Sequence, residues 1–200
     1  MTACAFGAEL TSSTIHDVDQ LRTGDRFPDL TLDSLDGPVQ LSERWSEQPL
    51  VVAFMRHFGC PFCREHLIQL GRHHDEVRAA GGDVIAIFQY HAEPTDSFCR
   101  ARGVPFECLG DPKRLGYAAV GLDRGERSEY LSLPLLGPLL RAARMGALPG
   151  KPEGDVAQRP GTFVVDRSGT VVLAHYNVMS PDNPPMSAIL EAVGGLAQAA

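Results

Sequence analysis

Two cysteines three positions apart, Cys60 and Cys63, are the residues of this 200-residue sequence best suited to chemistry. They follow an apolar run of strand length, Leu50 to Met55, and precede a stretch with helical spacing of apolar residues. Pro61 suits the first turn of a helix, where its missing N–H costs nothing. Cys60 is therefore expected at a strand-to-helix junction, where unpaired N–H groups and the helix dipole favour a thiolate. Cys63, one turn later, is placed to attack an oxidised Cys60, so the pair predicts dithiol–disulfide chemistry.

Two other roles for this pair stay open. A zinc site needs further ligands, but Cys99 and Cys108 do not form a second CxxC, and His73-His74 are adjacent. Inert core cysteines are the other alternative. We interpret Cys99 and Cys108 each as a small buried hydrophobe and Cys4 as incidental. No metal and no cofactor are therefore expected.

The bulk composition excludes several classes of protein. Hydrophobic residues make up 44% of the chain and charged residues 22%, which is ordinary for a globular protein. The net charge of −7 argues against nucleic acid or an anionic membrane as the main partner. No apolar stretch has membrane length, and the N-terminus lacks the features of a secretory signal. Five cysteines without a repeating framework do not indicate a secreted disulfide scaffold, so a cytoplasmic protein is expected.

The elements around the cysteines follow from apolar patterning. Leu30 to Leu41 alternates on both sides of an Asp36-Gly37 turn, which predicts a β-hairpin. Val84 to Phe88 is a second buried strand, so it forms a parallel βαβ unit with Leu50 to Met55 and the helix between them. Two later strands joined by a tight turn predict an antiparallel hairpin, and an amphipathic helix closes the chain. The two strands are predicted at Thr162 to Asp166 and Thr170 to His175, and the helix at Met186 to Leu196.

The chain is predicted to hold one domain. Residues 1–21 are expected to be a lightly packed leader and residues 22–200 the domain. An irregular insert, residues 121–158, includes the apolar segment Leu131 to Leu148. That segment is interpreted either as a helix laid over the core or as a lid or dimer face that shapes a pocket.

This order of elements resembles the thioredoxin fold, and three segments resemble its peroxiredoxin branch, the alkyl hydroperoxide reductase C/thiol-specific antioxidant superfamily. Gly24 to Leu41 looks like the N-terminal hairpin of that branch. Met55 to Cys63 (MRHFGCPFC) is similar to the signature of the peroxiredoxin-like group that includes prostamide/prostaglandin F synthase. Gly154-Asp155 and Gln158 to Asp166, with the later Gly169 and His175, follow the C-terminal pattern of the same group. The resemblance spans roughly residues 22–197. It implies an α/β fold with a mixed central sheet flanked by helices.

The resemblance also assigns site residues. It implies that Cys60 is the attacking cysteine and Cys63 the resolving one. Pro160 lies where thioredoxin-fold proteins place a cis-proline facing the dithiol, the alternative being a plain loop proline. Its neighbour Arg159 is a candidate second cation in the site.

One departure from the family pattern concerns the peroxide-binding residues. Typical peroxiredoxins carry Pro-x-x-x-Thr-x-x-Cys, and the corresponding proline and threonine positions here are Ala53 and His57. The hydroxyl that helps to hold the peroxide is missing, so a very fast peroxidase is not expected. Arg56 and His57 are candidates to supply positive charge or hydrogen-bond donors to the Cys60 thiolate instead. The alternatives are an Arg56 in a surface ion pair and a His57 satisfied within its loop.

The function implied is a thiol oxidoreductase that cycles Cys60 and Cys63 between dithiol and disulfide. Its expected substrate is a peroxide, either an organic hydroperoxide or an endoperoxide, with electrons from thioredoxin or a similar thiol. The alternatives are a reductase of protein disulfides and a non-catalytic redox-sensing module. A homodimer is among the expected assemblies.

Overall fold

A fully buried strand leads directly into the cysteine motif and lies inside a mixed sheet. The computed structural model describes residues 19–125, 135–179 and 181–198. In chain order the elements are β1 (Thr31–Ser34), β2 (Gly37–Gln40), α1 (Ser42–Trp45), β3 (Leu50–Phe54), α2 (Pro61–Arg72), α3 (His74–Ala79), β4 (Asp83–Phe88), α4 (Ala92–Arg100), β5 (Glu107–Gly110), α5 (Leu115–Ala119), α6 (Leu136–Arg144), β6 (Gly161–Val165), β7 (Val171–Tyr176) and α7 (Met186–Gln198). Within the described ranges the strand order is β2-β1-β5-β4-β3-β6-β7.

The position of β3 explains its unbroken apolar sequence. It pairs in parallel with β4 and antiparallel with β6, with Phe54 opposite Ile87 on one side and Gly161 on the other. Helices cover both faces of this part of the sheet, so no residue of β3 meets solvent. A strand buried on both faces reads as a continuous apolar run instead of an alternating one.

Two apolar clusters lie on opposite faces of the sheet. One joins the inner sides of α2, α3, α4, α6 and α7 to the sheet through residues such as Leu67, Val77 and Ile189, and it contains Cys60 and Cys63. The other holds the N-terminal hairpin, α1 and α5, with residues such as Trp45 and Tyr117. The α/β class with a mixed sheet, flanking helices and an N-terminal hairpin is therefore confirmed.

Several parts of the chain differ from the sequence expectation or lie beyond it. The helix after the cysteines ends at Arg72, and a separate short helix, His74–Ala79, follows it. In the irregular insert, Leu136–Arg144 forms α6, which packs on α2. Residues 126–134 and residues 1–18, which include Cys4 and all but the last three residues of the predicted leader, lie outside the described ranges. No helix in the described ranges is long and apolar enough to span a membrane.

Candidate active site

Cys60 stands at the junction between the loop after β3 and the first turn of α2. Its backbone is extended (φ −73°, ψ 116°), and Pro61 begins the helix behind it. Cys60 is 2% exposed and Cys63 is 4% exposed. The two thiols are hydrogen-bonded to each other, and backbone N–H groups of the first turn also point at Cys60. The structure therefore places both predicted cysteines and Pro61 in one site.

The two thiols have opposite acidities. The hydrogen bond from Cys63 is the main reason that the pKa of Cys60 falls to about 6; the charge of Arg56 and the backbone N–H groups of Cys63 and Phe62 add to the shift. Burial opposes that change, but it does not cancel it. The pKa of Cys63 is raised well above its ordinary value, because it donates to Cys60 and is buried. At neutral pH Cys60 is the thiolate and Cys63 keeps its proton.

Arg56 is the cation of this site. Its Nη1 lies 4.0 Å from Cys60 Sγ, and its backbone N–H donates to Cys63 Sγ at 3.3 Å. Its Nε donates to the Val156 carbonyl at 2.6 Å. Arg56 is only 7% exposed, so the alternative of a surface ion pair at the strand end is wrong.

His57 lies in the site but does not carry charge there. Burial, together with the charges of Arg56 and Arg64, lowers its pKa to about 4, so the imidazole is neutral at pH 7. Its Nδ1 is buried with no hydrogen-bond partner in the described part of the chain. Of the two roles expected for His57, the supply of positive charge is therefore wrong, because burial and two nearby guanidinium groups disfavour its protonation. Its role as a hydrogen-bond donor stays a prediction.

Pro160 and Arg159 do not take the expected roles. The described ranges contain no cis peptide bond, so the expectation of a cis Pro160 is wrong. The segment makes two long-range hydrogen bonds, with Arg159 N–H donating to the Asp123 carbonyl and Asn177 N–H to the Pro160 carbonyl. The Arg159 guanidinium pairs with Asp123 at 3.2 Å and does not line the pocket at Cys60.

The predicted insert or lid, residues 121–158, contains the segment that covers the thiol loop (residues 55–60), although the sequence did not indicate the contacts that hold it there. This covering segment, residues 148–156, lies against Gly59, whose carbonyl accepts from Gly150 N–H at 3.0 Å. Arg64 on α2 connects the thiol loop to the covering segment. Its Nε donates to the Phe58 carbonyl and its Nη1 to the Leu148 carbonyl, both at 2.6 Å.

Two residues that follow β4, Gln89 and Tyr90, form hydrogen bonds with the same covering segment. Gln89 accepts from Asp155 N–H at 2.7 Å and donates to the Arg56 carbonyl. Tyr90 donates to the Glu153 carbonyl at 2.8 Å and stacks on Phe58 with ring centroids 3.9 Å apart. The hydrogen bonds with Asp155 and Glu153 join positions more than sixty residues apart, and nothing in the local sequence signals them.

An apolar pocket of about 240 Å³ opens beside Cys60. Its polar atoms come from Arg56, His57 and Cys60. The remaining lining residues are Pro61, Phe62, Leu135, Leu139 and Pro149. A thiolate next to a guanidinium and an apolar wall can receive a small electrophile with an apolar substituent.

A metal centre has no set of ligands in the described ranges. No group of three or more histidine, cysteine, aspartate or glutamate side chains there is arranged to hold an ion. Cys60 and Cys63 alone supply too few ligands for tetrahedral zinc. The described residues therefore offer no ligands that would complete the zinc site considered for this pair.

Comparison with known proteins agrees with this site and fold. The AhpC/TSA family matches residues 23–174. The bovine (Bos taurus) protein peroxiredoxin-like 2C is 30% identical over 176 residues, covering 82% of this chain and 75% of the relative. Prostamide/prostaglandin F synthase of Danio rerio is 26% identical over 162 residues, covering 78% of this chain and 79% of that protein.

Solved structures show the same fold at lower identity. The peroxidoxin BcpB of Mycobacterium tuberculosis superposes with a TM-score of 0.63 at 18% identity, covering 90% of this chain and 98% of that one. Peroxiredoxin Q of Xanthomonas campestris gives a TM-score of 0.61 at 19% identity, covering 84% and 91%. This chain therefore belongs to the AhpC/TSA family and is a peroxiredoxin-like oxidoreductase with a thioredoxin-type fold.

Proposed function

We propose that this protein reduces organic hydroperoxides, with Cys60 as the attacking cysteine and Cys63 as the resolving one. The opposite acidities of two hydrogen-bonded thiols are the observation that carries the proposal. Only one of them is a thiolate at neutral pH, which supports Cys60 as the attacker and Cys63 as the resolver. Arg56 stabilises the charge on sulfur before attack and the negative charge that develops on oxygen during it.

The proposed reaction has two steps at the dithiol. The Cys60 thiolate attacks the distal oxygen of the hydroperoxide, a sulfur–oxygen bond forms, and the oxygen–oxygen bond breaks. The alkoxide leaves and takes a proton to become the alcohol. Cys63 then attacks the sulfenic sulfur of Cys60, and the departing hydroxide takes the Cys63 proton to leave as water. An external dithiol of the thioredoxin type reduces the resulting disulfide by two exchanges.

The walls of the apolar pocket support an organic substrate over hydrogen peroxide. Phe62, Leu135 and Leu139 offer an apolar surface beside the thiolate, and no threonine hydroxyl stands at position 57 to hold a small peroxide. Binding of a hydroperoxide with an apolar substituent is stabilised because it removes this surface from water, by about 25 cal/mol per Å² of apolar area buried. Some relatives are named prostamide/prostaglandin F synthase. An endoperoxide is an organic peroxide without an O–H group, so it is a separate candidate from the hydroperoxides proposed here.

The test is the mass of the reduced protein after one equivalent of cumene hydroperoxide and, separately, of hydrogen peroxide. We expect the loss of two hydrogens, located within residues 57–64, and faster reaction with the organic peroxide. Thioredoxin, with its reductase and NADPH, should restore the dithiol. Cys60→Ser should abolish the reaction, whereas Cys63→Ser should leave Cys60 as a sulfenic acid that dimedone captures.

Cys4→Ser is the matched control, because it removes a thiol outside the motif and should react like the natural protein. A Cys60→Ser protein that still consumes peroxide would show that the attacking residue is wrong. If neither peroxide changes the mass within minutes while a protein disulfide is reduced, the function is disulfide exchange instead.

A further inference from the structure

A second pair of cysteines lies where α4 packs on β5, and neither residue lines the apolar pocket. Cys99 lies near the end of α4 and Cys108 lies in β5. The Cys108 thiol lies 3.9 Å from the Phe106 carbonyl oxygen and is close enough to Cys99 to interact with it. Cys99 is buried and Cys108 is half-buried. The two residues are nine positions apart in sequence, and only the packing of α4 on β5 brings them together.

This pair borders an open cavity of about 560 Å³, compared with about 240 Å³ for the pocket at Cys60. Both sulfur-bearing residues line it, together with the turn of the N-terminal hairpin. The proposed peroxidase reaction uses neither of them. The cavity therefore gives a small molecule access to a dithiol that has no role in the first site.

The walls of this cavity carry both signs of charge. Arg44 pairs with Glu107 at 2.8 Å, and Arg100 pairs with Asp96 at 2.7 Å. All four side chains are at least 30% exposed, so they can exchange partners with a bound molecule. A ligand that bears both carboxylate and amino groups matches such walls.

We infer that Cys99 and Cys108 are a second redox couple, which closes to a disulfide by exchange with a low-molecular-weight peptide disulfide bound in this cavity. Cys108, the sulfur that borders open space, attacks the incoming disulfide and releases one small thiol. Cys99, behind it, attacks the Cys108 sulfur of the mixed disulfide and releases the second thiol. Two protein thiols and one small disulfide give one protein disulfide and two small thiols, and the protons pass to the leaving thiolates.

The acidity of Cys108 limits how fast it attacks. Its interaction with Cys99, burial, and the nearby carboxylates of Asp96 and Glu107 raise its pKa. Little of Cys108 is therefore thiolate at neutral pH, so its attack on the bound disulfide is slow and should become faster as the pH rises.

Trypsin separates the two couples cleanly. Cleavage after Arg56 and Arg64 leaves Cys60 and Cys63 within one peptide, residues 57–64. Cleavage after Arg100 and Arg102 puts Cys99 in residues 79–100 and Cys108 in residues 103–113. A disulfide of the first couple stays inside one peptide, whereas a disulfide of the second joins two.

The experiment equilibrates the full chain in glutathione buffers that run from fully reduced to fully oxidised glutathione. Remaining thiols are alkylated under denaturing conditions, and the tryptic peptides are weighed without reduction. We expect the joined peptide 79–100/103–113 from a protein that is still monomeric on a denaturing gel. Cys99→Ser should leave glutathione attached to Cys108, and Cys108→Ser should leave Cys99 free to be alkylated.

Two outcomes would overturn this inference. In the first, the peptides 79–100 and 103–113 remain unlinked and alkylated in a buffer that has already oxidised Cys60 and Cys63 in peptide 57–64. In the second, glutathione stays attached to Cys108 of the natural protein and no Cys99–Cys108 disulfide forms. Both are read on peptides that do not contain Cys60 or Cys63, so they are independent of the proposed peroxidase function. The measurement on the natural protein needs no variant to fold.

Discussion

Glu65 and Arg141 form an ion pair between α2 and α6, with Arg141 Nε 2.6 Å from Glu65 Oε1. The carboxylate side chain is 1% exposed, whereas the guanidinium side chain is 53% exposed. Glu65 lies on the helix that begins with the cysteine motif, and α6 carries Leu139 of the apolar pocket. The pair therefore fixes one wall of the pocket to the helix that carries the resolving thiol.

Removal of Arg141 should destabilise the protein more than removal of Glu65. Arg141→Gln leaves a buried carboxylate without its partner, and we expect a loss of about 1–3 kcal/mol in the free energy of unfolding. Glu65→Gln leaves no buried charge, so its loss should be smaller. Urea unfolding of both variants and of the double variant measures this. Arg144→Gln, at an exposed position of the same helix, is the control; equal losses for the variants at 65 and 141 would contradict the interpretation.

The alkylation rate of Cys60 should rise with pH through about 6, because iodoacetamide reacts with the thiolate. The hydrogen bond from Cys63 lowers the pKa of Cys60 most, so Cys63→Ala should move this midpoint upward further than Arg56→Met. Arg56→Lys keeps the charge and should move it least. A rise of one pH unit in the midpoint lowers the rate about tenfold on the acid side. The reverse order of the Cys63 and Arg56 variants would show that charge dominates.

Acidification should destabilise the protein through two buried histidines. Burial lowers the pKa of His66 to about 4, and burial and nearby cations do the same to His57, whereas both titrate near 6.5 when unfolded. The unfolded chain therefore binds more protons between pH 6.5 and 4, and stability present above pH 6.5 is lost as the pH falls. Each histidine should account for about 1 kcal/mol between pH 7 and 5.5.

The titration of Cys60 also lowers the stability as the pH falls over this range. The contribution of His66 is therefore the difference between the stability losses of the natural protein and of His66→Gln. The glutamine retains a group that can bond Thr162 Oγ1, which lies 3.0 Å from His66 Nε2. Urea unfolding at pH 7 and 5.5 should show a smaller loss for His66→Gln. Identical losses for the two proteins would mean that His66 does not contribute.

Gly59→Ala should displace the covering segment from the thiol loop. A Cβ at Gly59 would lie 2.3 Å from the Lys151 carbonyl oxygen and 2.7 Å from that of Gly150, and both are backbone atoms. We expect a loss of about 1–3 kcal/mol in stability, as for other overpacked sites. Gly195→Ala on α7 meets nothing within 4 Å and should be neutral or slightly stabilising. Equal melting temperatures for the two variants would show that the covering segment adjusts freely.

The sequence alone was enough to predict the fold and the position of the two principal cysteines. A buried strand, the proline at the helix start and the three-residue spacing are local features, and local geometry sets where Cys60 and Cys63 stand. The alternation of the two hairpins is equally local, because side chains of a strand point to opposite faces in turn. These elements therefore follow from short stretches of chain.

Only the tertiary structure decided the electrostatics and the partners of the site. The neutral state of His57 depends on burial and nearby cations, and the pairing of Arg159 with Asp123 joins two distant segments. The covering segment and the meeting of Cys99 with Cys108 likewise arise where separate elements pack together. A pKa or a contact of this kind is a property of the surroundings in space, which neighbours in sequence do not specify.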